Sequence, residues 1–126
     1  MSQLTLDPPG RHHYVRSVSE HGIRVGDTVY TESLVIGADK LLDDWPPATV
    51  DDLEEAHFDA VLAMEPEVVL LGTGPTQAIL HPSKLAPFYR EGVGIEVMTT
   101  EAACRTFNVL ATEQRRVVAA LLSMTP

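Results

Sequence analysis

The chain has 126 residues, 44% of them hydrophobic, enough for one globular core and too many for wholesale disorder. Eighteen acids against nine Lys and Arg give a net charge of −9, which lacks the dense cationic footprint that nucleic acid or an anionic membrane surface requires. The single cysteine, Cys104, excludes an internal disulfide and a cysteine-based zinc cage, and it fits a reducing compartment.

In chain order, residues 1–12 read as a flexible arm, polar and broken by Pro8-Pro9-Gly10, and residues 13–126 as one domain. The start has neither the basic and then apolar look of a signal peptide nor the arginine-rich look of a mitochondrial leader. The longest uncharged stretch, 68–83, is interrupted by Gly, Thr and Pro, so no transmembrane helix is expected and the cytoplasm is the expected location. From Tyr14 the alternation of Val15, Val18, Ile23, Val25 and Val29, with turns at His21-Gly22 and Gly26-Asp27, predicts a meander of about three antiparallel strands. Leu34-Val35-Ile36 is a further short apolar run, and Leu41-Leu42 and Trp45 lead into Pro46-Pro47, with Trp45 as an apolar plug.

Thr49 is placed to cap a helix predicted over about 50–63, with Asp51 and Asp52 in its first turn and Leu53, Ala56 and Ala60 on its apolar face. Val68-Val69-Leu70-Leu71 is an unbroken apolar run and reads as a strand buried on both faces. A short helix is predicted from Ser83 to Arg90, a second buried strand over 94–98, and a helix over 101–107 capped by Thr99 or Thr100. A last helix is predicted to about Leu122, burying Val117, Val118, Leu121 and Leu122, with Asn108 near the junction of the two final helices. These elements make an α/β (α+β) domain: a central mixed sheet with helices on its faces and an N-terminal antiparallel β-ribbon.

The charge is concentrated. Residues 39–67 hold ten acids against Lys40 alone, whereas 1–38 hold four acids to three bases and 68–126 four to five. Such a segment is ordinarily a solvated face that keeps a small protein soluble; Asp51, Asp52, Glu54 and Glu55 make it a candidate docking surface for a basic partner protein.

The candidate ligand site lies on two loops. Gly72-Thr73-Gly74-Pro75-Thr76-Gln77 follows a buried strand, and Thr99-Thr100 opens a helix carrying Arg105. Ligands in open α/β sheets lie outside the carboxyl ends of strands, and helix starts offer unpaired N–H donors. Gly72, Thr73, Gly74, Gln77, Thr99, Thr100 and Arg105 are thus candidates for holding a small polar or anionic ligand, although glycines also make plain turns and threonines plain caps. Cys104, flanked by Ala102 and Ala103, reads as a small core residue, with no histidine at a diagnostic spacing. The five histidines show no HExxH or other ligand pair, so no catalytic residue, metal or cofactor is assigned. Glu96 interrupts a buried strand and is expected to pair with an arginine.

The segments Leu70-Leu71-Gly72-Thr73-Gly74, Gly94-Ile95-Glu96-Val97-Met98-Thr99-Thr100 and Ala102-Ala103-Cys104-Arg105-Thr106-Phe107-Asn108-Val109-Leu110 resemble the family catalogued as domain of unknown function 498, the Mth-type domain. Gly22–Val25, Ser33-Leu34-Val35 and Trp45-Pro46 extend the resemblance to about residues 13–122. The resemblance implies a three-layer β+α/β/α domain and carries no established reaction. The family's relatives include the mitochondrial complex I assembly factor 3 and the adipogenesis-associated Mth-type domain protein. A bacterial, non-enzymatic binding or assembly module is therefore implied, with a protein partner tied to respiratory NADH dehydrogenase; a monomer is expected rather than an oligomer. The alternative is a small-molecule or anion binder, or an enzyme, using the Gly72–Gln77 and Thr99–Arg105 crevice.

Overall fold

Strand alternation sorts the apolar residues onto two faces of one sheet. The computed structural model describes residues 12–125; the arm read over 1–12 lies, apart from His12, outside the described residues. Leu34, Ile36, Leu70, Val117, Ala119 and Leu121 face one core, while Val35, Val69, Leu71, Val118, Ala120 and Leu122 face the other. The strands are β4 (Leu34–Ile36), β5 (Leu41–Leu42), β6 (Val68–Gly72), β7 (Gly94–Met98) and β8 (Val117–Leu121), in the order β5-β4-β8-β6-β7. β8 runs parallel to β6 and antiparallel to β4, and β7 is parallel to β6, so the sheet is mixed.

On the first face lies a three-stranded antiparallel sheet, β1 (Val15–Ser19), β2 (Gly22–Val25) and β3 (Thr28–Tyr30), beside helix α3 (Thr100–Thr112). On the other lie α1 (Asp59–Leu62), α2 (Ala86–Glu91) and several 3-10 turns, with Phe58 and Phe88 in edge-on contact at 4.7 Å. The architecture is the expected three-layer β+α/β/α arrangement. From β6 the chain moves outward through α2 to β7 and then returns past β6 through α3 to β8, and crossovers of one hand that run in opposite directions put their helices on opposite sides of the sheet. That is why α2 and α3 sit on opposite faces.

Two predicted helices are corrected. The stretch 50–63 is not one helix but 3-10 turns at Val50–Asp52 and Glu55–Phe58 followed by the single turn of α1. Asp52 turns back to accept the N–H groups of Ala48 and Thr49 and the Thr49 hydroxyl, and Leu53 and Glu54 are extended. Side-chain caps have here outcompeted helix propagation. The last predicted helix is the strand β8, and α3 runs on without a break through Thr112. Val-Val-Ala-Ala-Leu is buried at every position, and an apolar run of that length has no period to separate strand from helix. Asn108 belongs to α3. Its amide accepts from Val15 N–H and donates to Val15 carbonyl, both at 2.9 Å, tying β1 to the helix. β7 is also not buried on both faces. It is the edge of the sheet, with Gly94 and Glu96 exposed. Glu96 has no ion-pair partner among the described residues; a charge on an edge strand discourages edge-to-edge pairing.

Candidate functional site

Because β6 lies between β7 and β8, its carboxyl end is the switch point at which a ligand is expected. The helix start is pressed directly against that strand end. A Cβ added at Gly72 would stand 2.7 Å from Thr100 Cα and 2.8 Å from its hydroxyl, so only glycine fits. Thr100 is fully buried; its hydroxyl accepts from Gly74 N–H and donates to Leu122 carbonyl, each at 2.8 Å. Thr100 N–H donates to Gly74 carbonyl at 3.0 Å, Thr73 N–H to Met98 carbonyl at 2.8 Å, and Leu122 N–H to Gly72 carbonyl at 2.9 Å. Gly74, at φ +96, supplies the backbone turn that makes these bonds reachable.

Two more hydroxyls of the two loops are also engaged. Thr73 donates to Thr76 carbonyl at 2.7 Å, and Thr99 caps α3 by accepting from Ala102 N–H at 3.2 Å. Gly72, Thr73, Gly74, Thr99 and Thr100 therefore do come together, in a hydrogen-bonded junction that uses its own donors. Gln77 and Arg105 are exposed and make no hydrogen bond to it; Arg105 lies 3.8 Å from Glu101, one turn back on α3. Cys104 is buried, and that burial, with the charge of Glu101 adding to it, pushes the thiol up to about 12. It is a protonated core group at neutral pH.

The acidic residues are spread over the 3-10 turns. Asp51, Asp52, Glu54 and Glu55 are all exposed. Asp52 is committed to capping, and the bond from Thr49 N–H in particular holds its carboxyl below the ordinary 3.8. Glu55 pairs with Arg90 at 2.6 Å. Asp51 and Glu54 make no ion pair among the described residues. Lys84 supports the turn by donating to Leu53 carbonyl at 3.2 Å.

Sequence reasoning missed a recess of about 720 Å³ at the opposite end of the sheet, where β6 and β8 begin. Met64, Ala111, Val117 and Val118 give it apolar walls, and Asp39, Lys40, Arg115 and Arg116 line it with charge. The signal in the sequence was the Arg115-Arg116 pair set directly before an apolar run. The recess lies at the end of the sheet away from the carboxyl ends of the parallel strands, where ligands of open α/β sheets are expected.

The family model described as "Protein of unknown function (DUF498/DUF598)" matches residues 15–122. The chain is 30% identical over 91 residues to a Francisella tularensis protein named "13 kDa major membrane protein", covering 70% of this chain and 72% of that one. It is 32% identical over 112 residues to the mouse "NADH dehydrogenase [ubiquinone] 1 alpha subcomplex assembly factor 3", covering 86% of this chain but only 60% of the mouse protein's length. A Bordetella parapertussis crystal structure superposes with a TM-score of 0.85 at 32% identity, over 92% of this chain and 99% of that one. A Bordetella pertussis solution structure described as a Mth938-like domain superposes with a TM-score of 0.82 at 27% identity, over 98% and 94%. Among the described residues no helix is long and apolar enough to cross a membrane.

Proposed function

The chain belongs to the DUF498/DUF598 family, and from that membership we propose that it works by binding other proteins, as an assembly factor does, and not by catalysing a reaction. The observation that carries this reading is the 32% identity to the assembly factor across 86% of this chain. The partner we propose is a component of respiratory NADH dehydrogenase on its way to assembly. Two features of the molecule support a binding role. The switch-point junction spends its donors on the chain itself, and the 39–67 segment offers Asp51 and Glu54 as exposed carboxylates without ion-pair partners among the described residues. Opposed charges of this kind set encounter rate and partner choice more than final affinity.

The test is loss of the gene in the native host, followed by native-gel measurement of assembled NADH dehydrogenase. Assembly should fall, and return with the wild-type chain. The double variant Asp51→Lys, Glu54→Lys should restore it less well and should release captured NADH dehydrogenase subunits at lower salt than wild type. Undiminished assembly without the gene sinks the proposed partner. Equal capture by the double variant sinks the acidic docking surface.

A further inference from the structure

We propose that the recess at the amino ends of β6 and β8 binds a small amphipathic carboxylate, an apolar body carrying one anionic head. This does not rest on the docking reading, which uses a different part of the surface. At about 720 Å³ the recess falls within the range of small-molecule sites, roughly 300–1,000 Å³. Its walls divide by chemistry: Met64, Ala111, Val117 and Val118 are apolar, and His12, Thr112 and Gln114 join the charged residues in the rest of the lining.

The charge selects the head group. Lys40, Arg115 and Arg116 line the recess with Asp39 as its one lining acid and His12 as its one lining imidazole, in a chain of net charge −9. Behind the wall, Glu67 accepts from Arg116 N–H at 2.9 Å and lies 3.5 Å from Arg115 Nε, which offsets Arg115. Arg116 gives its Nε to Glu65 carbonyl at 3.2 Å, and neither Arg116 nor Lys40 has a carboxylate partner among the described residues. Two available cations beside the carboxylate of Asp39 suit a monoanion better than a dianionic phosphate. Two of the last carbonyls of α3 are already taken by backbone N–H groups. Leu110 carbonyl takes Arg115 N–H at 3.1 Å and Ala111 carbonyl takes Gln114 N–H at 3.0 Å.

One backbone feature points the same way. Gln114 lines the recess and sits at φ 63, just past the end of α3, where glycine is the unstrained choice. The chain accepts that conformation and keeps a polar side chain in the wall.

The experiment titrates octanoate into the full-length, isotope-labelled protein and follows backbone amide resonances. Saturable shifts should centre on 37–40 and 111–118 and spare 72–74 and 99–100. Octan-1-ol, with the same tail and no charge, should bind about tenfold more weakly. Lys40→Gln and Arg116→Gln should each weaken octanoate by about three- to fivefold, as expected for one partly exposed ion pair, while leaving octanol unchanged. The spectra of both variants without ligand report whether they are folded, and the octanol comparison needs no variant. The proposal is overturned by non-saturable shifts, by shifts centred elsewhere, by octanol matching octanoate, or by full affinity in both folded variants.

Discussion

At the carboxyl ends of β6 and β8 the chain closes on itself; at their amino ends it leaves a recess. The same parallel strands make both ends. At the first, Gly72 lets α3 come so near that Thr100 fills the switch point and takes up the Gly74 N–H. At the second, the connections arrive from three directions, through Gly37–Lys40, Met64 and Ala111–Arg116, and their side chains stand back from a shared apolar wall. The contrast teaches that topology marks where backbone donors gather, while the hydrogen-bond inventory decides whether any remain for a ligand.

The difference between the ends can be broken most forcefully at Gly72. A methyl group there meets the Thr100 backbone, which cannot swing aside, so Gly72→Ala should cost about 3 kcal/mol in urea unfolding. A loss below about 1 kcal/mol would mean that the junction is looser than described. Thr100→Val keeps the shape and removes the hydroxyl, orphaning Gly74 N–H and Leu122 carbonyl. It should cost roughly 2–3 kcal/mol, with Thr100→Ser recovering most of that. Equal losses in the two variants would assign the role to the methyl group instead.

At the open end the expected effects are smaller. Gln114→Gly should raise stability by roughly 0.5–1 kcal/mol by relieving the left-handed conformation, and on the carboxylate proposal it should weaken octanoate binding at the same time. A destabilised variant would refute the strain argument. Smallest is the contribution of Glu67, whose carboxyl the Arg116 N–H holds below its ordinary 4.5. A lowered folded value means stability that is fully present above about 4.5 and lost as pH falls through the folded value. Melting curves of wild type and Glu67→Gln should therefore converge in acid and separate above that range. A constant gap at every pH would remove the linkage.

Much of the fold was legible in the sequence, for physical reasons that differ by element. The N-terminal meander was readable because its strands alternate and its turns carry glycine. β6 was readable because Gly72 ends it. β8 was not, because a strand buried on both faces and a buried helix have the same unbroken apolar pattern, and its position between β4 and β6 is set by residues far away. The helix expected over 50–63 failed because acids near a helix start also make tight caps, and Asp52 does so. At the candidate site, the residue types and their convergence were legible, since five of the seven meet at one junction. That they satisfy one another was not, because the Leu122 carbonyl that Thr100 binds comes from the element read as helix. The recess shares this cause: Val117 and Val118 form its wall only when β8 is a strand.

The place of β8 bears on how the molecule is made. The middle strand of the sheet, between β4 and β6, is the last of the described strands to leave the ribosome. Until Val117–Leu121 emerges, β4 and β6 have no common neighbour, and each presents an unpaired edge of apolar residues. The bonds that then close, such as Ser123 N–H to the Ser33 hydroxyl at 3.0 Å, span most of the chain. Local turns can form early, but the two cores become dry together and late. A ribosome stalled before Val117 would therefore hold a chain with its secondary structure largely in hand and an open slot where its centre belongs.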